Sequence, residues 1–330
     1  MRTRLMGISL SFLLLMLGTQ AIAQPLSCGA TVVGSVTLQA DLHCPTGHGL
    51  AVGSGATLNC AGKTITGGEQ PGQYGIYVRE VSNATVQSCT VESFEVGIRL
   101  RGATNATVQD STTRFNTRYG FELTSGSTGA LILSNSVLDN GDEGIHVSGP
   151  PDRDARHQIE ANLVDGNGLE GIYLLDSDAN TIAENLVRDH GTAGLYIKGS
   201  HRNTITGNTL TNDPIQLVNG SQGNTFRGNT IYGQRMKFDG APNNTVDTMS
   251  VQGQSGQPSV AYEFTNAASG NTIIDSEALD PVDYHIRAVN QSKNIVFTRF
   301  SAVPTLKCSV DGTSSVKVTA PNGNPLKCGR

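Results

Sequence analysis

One short phrase returns through most of this chain at a nearly constant interval: a glycine, an apolar residue, any residue, and a second apolar residue. It occurs as Gly75-Ile76-Tyr77-Val78, Gly97-Ile98-Arg99-Leu100, Gly120-Phe121-Glu122-Leu123, Gly144-Ile145-His146-Val147, Gly171-Ile172-Tyr173-Leu174 and Gly194-Leu195-Tyr196-Ile197. The glycines are 22, 23, 24, 27 and 23 residues apart. Copies without the glycine follow at Ile215-Gln216-Leu217, Met236-Lys237-Phe238, Tyr262-Glu263-Phe264 and Tyr284-His285-Ile286. A fixed interval of this size is typical of a solenoid.

A second phrase, asparagine followed by Thr-Ile or a close variant, recurs at the same interval, about ten residues after many copies of the glycine phrase. Its copies begin at Asn83, Asn105, Asn180, Asn203, Asn224, Asn244 and Asn271. Both phrases alternate apolar and polar residues and are rich in β-branched side chains, which predicts short strands. No helical period lies between them, which argues against leucine-rich repeats and against βαβ units.

Short strands joined only by turns predict an all-β, right-handed, single-stranded parallel β-helix of about 10 to 12 coils of ~22 residues. Neighbouring coils would lie ~4.8 Å apart. Ile205 and Phe226 would point into the core. Asn135, Asn162, Asn185, Asn208 and Asn229 recur at one place in five coils, where we expect a corner that tolerates unusual backbone angles and a hydrogen-bonded amide ladder. The sequons at Asn83, Asn105 and Asn243 are interpreted as turn or ladder members.

The Gly-Ile-x-Val and Asn-Thr-Ile phrases resemble the right-handed parallel β-helix proteins of pectate-lyase type. Within that group they are similar to the carbohydrate-binding and sugar-hydrolase repeats and to the periplasmic NosD-like proteins. The resemblance covers about residues 50–300. It implies the fold but no single activity, because this fold hosts lyases, hydrolases, epimerases and non-catalytic binding proteins.

The N-terminus reads as a secretory signal. Arg2 and Arg4 precede an uncharged, mostly apolar stretch from Leu5 to Leu17, and Ala21-Ile22-Ala23 offers a cleavage site. The organisation we expect is a signal peptide at 1–23, an N-terminal cap and first coil at 24–60, the β-helix at 61–300 and a C-terminal cap with a hairpin at 301–330. The apolar stretch is too short for a membrane span, so we expect no membrane insertion and a secreted or periplasmic monomer.

The six cysteines all follow the signal and cluster toward the two ends: Cys28, Cys44, Cys60, Cys89, Cys308 and Cys328. An even number in an exported chain predicts disulfides that staple the caps. Zinc is the alternative, but no Cys-x-x-Cys pair occurs. The pair Cys308–Cys328 is the one that the spacing favours, and the other pairings stay open.

The formal net charge is −5, which does not suit a nucleic-acid partner. The candidate chemistry lies instead on outward strand positions. One predicted column runs Tyr77, Arg99, Glu122, His146, Tyr173, Tyr196, Gln216, Lys237, Glu263 and His285. A second column runs Arg79, Arg101, Thr124, Ser148, Leu175, Lys198, Val218, Asp239, Thr265 and Arg287.

This combination of side chains suits an acidic polysaccharide. The cations Arg79, Arg101 and Lys198 would hold carboxylates or sulfates, and Tyr196 would stack on a sugar ring. The predicted catalytic group is His146 as the base, with Glu122, Tyr173 and Arg99 around it. These roles fit a β-eliminating lyase or a C5-epimerase acting on a uronate. The alternative is a solvated face whose charges pair along the ladder.

Tyr119-Gly120-Phe121-Glu122 is similar to the start of the Tyr-Gly-Phe-Asp-Pro-His motif of mannuronan C5-epimerases. Tyr119 matches the motif's tyrosine, and Glu122 replaces its aspartate. Leu123 and Thr124 stand where that motif has proline and histidine, so the motif's histidine is missing. His146 would have to supply it from the next coil.

A second candidate site is a carboxylate edge in the turns before these strands, formed by Asp139, Asp142, Glu143 and Glu170. Glu143 and Glu170 each precede a repeat glycine and should be stacked neighbours. Such carboxylates would suit Ca²⁺ or the paired acids of a glycoside hydrolase; the alternative is a set of turn-forming residues. The irregular step of 27 residues also falls here, with 150–156 as an added loop.

The NosD-like resemblance implies copper. The seven histidines are scattered, however, and only Met236 and Met249 remain after signal removal, so we expect no copper site, no other metal and no cofactor beyond the Ca²⁺ alternative. The leading prediction is a secreted protein that binds an anionic polysaccharide, with lyase or epimerase activity. A non-catalytic carbohydrate-binding or adhesion module and a glycoside hydrolase are the alternatives.

Overall fold

The computed structural model describes residues 26–149, 154–253, 259–280, 283–303 and 305–328. It is an all-β parallel solenoid of about 12 turns of about 23 residues, as the repeat predicts. The described residues contain no helix. Accordingly, no helix in the described part of the chain is long and apolar enough to cross a membrane. The predicted signal at 1–23 and most of the 150–156 loop lie outside the described residues.

Each turn contributes one strand to each of three long sheets. Sheet A contains β1 (Thr31–Val32), β4 (Leu50–Val52), β7 (Tyr74–Arg79), β10 (Val96–Arg101), β13 (Tyr119–Thr124), β16 (Ile145–Ser148), β19 (Glu170–Leu175), β22 (Ala193–Lys198), β25 (Ile215–Val218), β28 (Met236–Asp239), β31 (Val260–Thr265), β34 (Tyr284–Ala288) and β37 (Cys308–Val310).

Sheet B contains β2 (Ser35–Thr37), β5 (Thr57–Asn59), β8 (Thr85–Gln87), β11 (Thr107–Gln109), β14 (Leu131–Leu133), β17 (Gln158–Glu160), β20 (Thr181–Ala183), β23 (Thr204–Thr206), β26 (Thr225–Arg227), β29 (Thr245–Asp247), β32 (Thr272–Ile274), β35 (Ile295–Thr298), β38 (Val316–Thr319) and β39 (Pro325–Leu326). Its last two strands form the predicted C-terminal hairpin, because β38 and β39 pair antiparallel.

Sheet C contains β3 (Leu42–His43), β6 (Thr64–Thr66), β9 (Thr90–Glu92), β12 (Thr112–Arg114), β15 (Ser136–Leu138), β18 (Leu163–Asp165), β21 (Leu186–Arg188), β24 (Thr209–Thr211), β27 (Thr230–Tyr232), β30 (Ser250–Gln252), β33 (Glu277–Leu279) and β36 (Ser301–Val303). In most three-residue strands of sheets B and C the middle side chain is buried and its neighbours are partly exposed. Ile205 and Phe226, for example, are register partners with 0% exposure.

Asparagine ladders hold the corners, as the repeat predicts. Asn135, Asn162, Asn185 and Asn208 each donate from Nδ2 to the Oδ1 of the next asparagine in the column at 2.9–3.0 Å, ending at Asn229. All five are buried. The expectation of unusual backbone angles at these asparagines was wrong by one residue, because the positive φ angles fall on the residues before them, such as Ser134 and Glu184.

A second ladder joins Asn180, Asn203, Asn224, Asn244 and Asn271 in the same way at 2.9–3.2 Å. The repeat glycines accommodate a third ladder, formed by Asn116, Asn140 and Asn167. A Cβ on Gly144 would lie 2.8 Å from Asn167 Nδ2, so no larger residue fits while the amide keeps its place. The sequon residues Asn83, Asn105 and Asn243 have positive φ and occupy turns.

All six cysteines form disulfides, namely Cys28–Cys44, Cys60–Cys89 and Cys308–Cys328. The predicted pair Cys308–Cys328 is confirmed. Two of the bonds tie the first coils together, and the third ties β37 to the segment after β39. Three disulfides are typical of a protein that folds in an oxidising compartment.

Candidate functional site

The predicted outward column exists on the outer face of sheet A. Arg99, Glu122, His146, Tyr173 and Tyr196 are successive register partners on β10, β13, β16, β19 and β22. Neighbours in such a column are ~4.8 Å apart. The side chains predicted to act together therefore lie within contact range of each other.

A second outward row, three residues upstream, runs beside this column. It contains Tyr74, Val96 and Tyr119, which are register partners, followed one coil at a time by Glu143 and Glu170. Between the two rows, two consecutive residues, such as Gly120 and Phe121, are buried. The alternation of inward-facing and outward-facing residues is broken at the glycine. Residues separated by three positions, such as Tyr119 and Glu122, therefore face the same side of the sheet. Glu143 and Glu170, predicted as members of a separate carboxylate edge, therefore lie directly beside the column.

His146 lies at the centre of this site. Its ring stacks on Tyr119 with 4.7 Å between centroids and 19° between planes, and it meets the Tyr173 ring edge-on at 5.3 Å. Its Nδ1 lies 3.4 Å from Glu143 Oε1. The His146 side chain is 13% exposed and that of Glu143 is 9% exposed. The imidazole is thus held on three sides and keeps a small opening to solvent.

Burial changes the acidity of the groups around His146. It raises the pKa of Tyr119 to about 12, with the Glu143 charge adding to the effect. Burial also raises the pKa of Tyr173 to about 12. Both phenols therefore keep their protons at neutral pH. Burial raises the pKa of the Glu122 carboxyl as well, against the opposing charges of Arg99 and His146.

The carboxyl of Glu170 behaves like that of Glu122. Burial raises its pKa, the Thr192 side chain opposes the rise by hydrogen bonding, and the negative charge of Glu143 adds to it. Glu143 and Glu170 are thus stacked neighbours that sense each other's charge, as their positions before the repeat glycines predict.

Arg99 is held by its neighbours in the structure. Its Nε lies 2.8 Å from Glu122 Oε2, an ion pair in which the N–H direction does not meet hydrogen-bond geometry. Its Nη1 donates to the Tyr74 hydroxyl, and its guanidinium lies 4.5 Å from the centre of the Tyr74 ring. Arg99 therefore connects Glu122 to Tyr74, and its charge is already matched by a carboxylate.

Arg118 is a site residue that sequence reasoning missed. Its guanidinium lies 4.4 Å from the centre of the Tyr119 ring and donates to the Tyr119 hydroxyl. It also pairs with Glu95 at 3.1 Å and with Asp142 at 3.3 Å. The only signal available was its position directly before the tyrosine of the Tyr-Gly-Phe-Glu segment.

The predicted substrate-binding residues flank this centre. Arg101 and Lys198 are half-buried on the second outward column, and Arg79 is exposed and paired with Glu80 at 3.2 Å. Tyr196 packs against Tyr173 with 5.4 Å between ring centroids. These side chains border the site along the solenoid axis.

Asp139, the fourth member of the predicted carboxylate edge, lies apart from the other three. It is exposed at a positive-φ turn, and its Oδ1 lies over Gly166, where a Cβ would come within 2.6 Å. The buried Asn140 separates it in sequence from Asp142 and Glu143. The structure brings Asp142 and Glu143 to the site and leaves Asp139 in the preceding corner.

The expected end of the column was wrong by two residues. Glu263 pairs in register with Arg287, where the repeat predicts His285. His285 is buried; its Nε2 contacts the Val303 carbonyl at 2.9 Å, and its Nδ1 accepts a hydrogen bond from Lys307 N. Copies of the phrase without glycine carry too little information to fix the register.

A buried polar column supports the turns that carry the site. Asn116 and Asn140 donate to Asn140 and Asn167 at 2.9 Å, and Asn167 Nδ2 contacts His190 Nε2 at 3.2 Å. His190 Nδ1 lies 2.6 Å from Asp213 Oδ2, with both side chains 0–1% exposed. This is the third ladder, and it fixes the backbone from which Tyr119, Glu143 and Glu170 project.

The described residues contain no group of three or more histidine, cysteine, aspartate or glutamate side chains that could hold a metal ion. The imidazoles from 154 to 247 do not fit a copper site. His157 and His201 each accept a backbone N–H at Nδ1, and His190 has both ring nitrogens engaged.

The site is an open row on a sheet face, which suits a polymer lying along the axis. A hollow of about 390 Å³, lined by Thr248, Asp275 and Arg299 among others, lies nearer the C-terminal end and contains none of the site residues. The buried acid–base groups described above are on the row.

Two family models match the sequence. The model described as "right handed beta helix region" matches residues 27–152, and the one described as "periplasmic copper-binding protein (NosD)" matches residues 151–247. A search of curated proteins finds no match.

Several solved structures share the fold. The A-module of the Azotobacter vinelandii mannuronan C-5 epimerase AlgE6 is 17% identical with a TM-score of 0.52, covering 77% of this chain and 82% of its own. The catalytic unit of a GH87 α-1,3-glucanase from Streptomyces thermodiastaticus is 15% identical with a TM-score of 0.57, covering 88% and 62%. A lidless DFA-IIIase from Arthrobacter chlorophenolicus is 14% identical with a TM-score of 0.51, covering 84% and 75%. The chain spans less than two thirds of the length of the glucanase unit. Sequence identities this low show a shared fold and nothing more.

Proposed function

Since this chain is a right-handed parallel β-helix repeat protein, we propose that it acts on an acidic polysaccharide lying along sheet A, and that it abstracts a proton from a uronate residue at His146. The observation that carries the proposal is the environment of His146, an imidazole held between two tyrosines and a buried glutamate. The similar fold of a mannuronan epimerase and of a glucanase supports a polysaccharide substrate.

The contact with Glu143 supports a proton on Nδ1 of the imidazole. Glu143 Oε1, 3.4 Å from Nδ1, can accept a hydrogen bond from Nδ1–H. The neutral ring then has its lone pair on Nε2, which makes Nε2 the base. Stacking on Tyr119 fixes the plane of the ring. A base needs this orientation because proton transfer depends on a short, aligned contact with the substrate carbon.

The phenols supply the acid. Because burial raises the pKa of Tyr119 and of Tyr173 to about 12, both are protonated donors at neutral pH and do not compete with His146 as bases. One phenol lies on the coil before His146 and the other on the coil after it. A sugar over His146 therefore has a proton donor on either side.

The reaction step balances as follows. Nε2 of His146 takes the C5 proton, and the C5–H electron pair moves into the substrate carboxyl to give an enediolate. In epimerisation, a tyrosine hydroxyl returns a proton to the opposite face of C5. In elimination, the pair forms the C4–C5 double bond, the C4–O bond breaks, and the leaving oxygen takes a proton from a tyrosine hydroxyl. Glu122, ion-paired with Arg99 beside His146, can accept a hydrogen bond from a sugar hydroxyl.

The cations in the second outward column favour an anionic substrate. Arg101 and Lys198 lie on the two sides of the His146 coil, and Arg79 lies beyond Arg101. Arginine binds carboxylates in bidentate fashion. We further propose that the protein is secreted or periplasmic, in line with the signal predicted at 1–23 and with the three disulfides.

The test is a panel of polymers incubated with the mature protein: mannuronan, polygalacturonate, a glycosaminoglycan and an α-1,3-glucan. Elimination is detected by absorbance of the unsaturated product, epimerisation by proton NMR, and hydrolysis by new reducing ends without absorbance. We expect turnover of a uronan. His146→Ala should lower the rate at least 100-fold, while His43→Ala, an exposed histidine on sheet C, should leave it unchanged.

A second candidate function is favoured by Glu143 and Glu170. Because burial and the Glu143 charge raise the pKa of Glu170, the two carboxyls can divide acid and base roles in glycoside hydrolysis. New reducing ends from a neutral glycan, lost in Glu170→Gln, would replace the proposal with this one. Binding of a uronan without any turnover would indicate a non-catalytic module.

A further inference from the structure

The outer face of sheet A contains a second tyrosine-centred cluster. It lies two coils before the cluster around Tyr119 and His146, which is called the first cluster below. Tyr74-Gly75-Ile76-Tyr77 has the same pattern as Tyr119-Gly120-Phe121-Glu122, and the two leading tyrosines stand in one column. We define the N-terminal aromatic cluster as His48, Tyr74 and Tyr77.

The two clusters share their pairwise contacts, with His48 one coil before its tyrosine and His146 one coil after. An imidazole stacks on each leading tyrosine: His48 on Tyr74 at 4.9 Å and 10°, and His146 on Tyr119 at 4.7 Å and 19°. A guanidinium lies over each tyrosine ring, Arg99 at 4.5 Å and Arg118 at 4.4 Å. Each guanidinium also donates to the hydroxyl of its tyrosine.

The N-terminal aromatic cluster differs where the chemistry would occur. His48 Nδ1 accepts the backbone N–H of Tyr74 at 3.2 Å, so the ring is engaged as an acceptor, and Nε2 carries the hydrogen. Tyr77 stands at the position that Glu122 holds in the first cluster, and its ring packs against both Tyr74 at 5.2 Å and His48 at 5.9 Å. His48 therefore offers an N–H donor where His146 would offer a base. Tyr77 offers an aromatic ring where Glu122 offers a carboxyl group.

We infer that the N-terminal aromatic cluster is a sugar-binding subsite for the same glycan that reacts at His146, a further contact that binds without reacting. This inference rests on the proposed function. His48 is exposed and both tyrosines are half-buried, so the cluster presents part of its surface to solvent. Aromatic rings with an adjacent N–H donor suit a sugar, which presents C–H faces and hydroxyls together.

The spacing supports a polymer that runs along the axis. Tyr74 and Tyr119 are two coils apart, ~10 Å, about the length of a disaccharide in an extended chain. Tyr77 and His146 are three coils apart, ~14 Å. A long oligosaccharide would cover both clusters and contact the N-terminal aromatic cluster with a sugar unit that does not react. A short oligosaccharide bound at His146 would not reach that cluster.

The test compares Tyr77→Ala with wild type on mannuronate, galacturonate and α-1,3-glucan oligosaccharides, each as a trisaccharide and as an octasaccharide. For the class that wild type binds, we expect Kd or KM for the octasaccharide to rise about fivefold, with the trisaccharide unchanged. Tyr232→Ala, a half-buried tyrosine on sheet C, is the matched control and should change neither. Thermal unfolding checks that each variant folds.

Equal losses on both lengths, or no loss on either, would overturn the inference and leave the proposed function standing. His48→Ala provides a second variant if Tyr77→Ala unfolds, with the same length-dependent result expected. Wild-type protein that binds none of the oligosaccharides would remove the proposed function, and this subsite with it.

Discussion

His157 gives the sharpest stability prediction, because a titratable ring replaces an amide in a buried ladder. It is 1% exposed, and its backbone N donates to Asn180 Oδ1 at 2.9 Å, as the later asparagines do to one another. Its Nδ1 accepts the backbone N–H of Ala130 at 3.1 Å. Burial lowers the pKa of His157 to about 4, with partial opposition from the Ser127 backbone. The ring must stay neutral for the ladder to hold.

The magnitude follows from linkage. An unfolded histidine has a pKa of ~6.5, so the folded value is lower by roughly 2.5 units, worth ~3 kcal/mol at ~1.36 kcal/mol per unit. Above pH ~6.5 neither state is protonated and the contribution is complete. As the pH falls toward ~4, His157 becomes protonated in the unfolded chain before it does so in the folded chain. Its contribution to the free energy of unfolding is therefore lost over this range.

The perturbation is His157→Asn, which keeps a side-chain acceptor for the Ala130 N–H but does not titrate. Urea unfolding followed by circular dichroism, between pH ~7 and ~4, measures the free energy of unfolding of both proteins. We expect wild type to lose ~3 kcal/mol more than the variant over this range. Carboxylates and the remaining histidines titrate in both proteins and cancel in the difference.

His43→Asn is the control, because His43 is exposed and should leave the pH dependence unchanged. Parallel curves for wild type and His157→Asn would refute the reasoning, since they would mean that His157 is as easily protonated in the folded chain as in the unfolded one.

Three further outcomes are expected. Phenylalanine at Tyr119 and at Tyr173 keeps the ring contacts; one of the two variants should lose ~100-fold or more in kcat with little change in KM, and full activity in both would exclude a phenol as the proton donor. Asn208→Ala removes ladder bonds to both neighbouring coils and should lower the free energy of unfolding by ~1–3 kcal/mol in urea, whereas Gln222→Ala, at an exposed amide, should change it by less than ~0.5 kcal/mol. Serine at both cysteines of the C-terminal disulfide should lower it by ~3 kcal/mol, and no change would mean that the 20-residue loop is not stabilised by that bond.

The fold could be predicted because the repeat carries its own register. Each glycine phrase fixes the inward and outward positions of one strand, and the asparagines fix the corners, so Ile205, Phe226 and the Asn135 column all lie where the sequence predicts. The prediction was wrong where the phrase loses its glycine, as at Tyr284, because an alternating segment can shift by two residues without changing which side chains face inward.

The candidate site could be predicted only in part, for a related reason. Alternation finds Glu122, His146 and Tyr173, but extended three residues upstream it would turn Tyr119 inward, and Glu143 was predicted only as part of a separate edge. The repeat glycine interrupts the alternation, and the third ladder occupies the space where its Cβ would be. Such a break depends on packing between coils, which one strand's sequence does not contain. Sequence reasoning therefore treated the column and the carboxylate edge as two sites.

Proton NMR of a uronan incubated in D₂O with wild type and with His146→Ala tests the central claim most directly. We predict that wild type either incorporates deuterium at C5 with inversion or yields a 4,5-unsaturated product, and that His146→Ala does neither while still binding the polymer. Turnover that continues at the wild-type rate in His146→Ala, or no change in any uronan with wild type, would contradict the account.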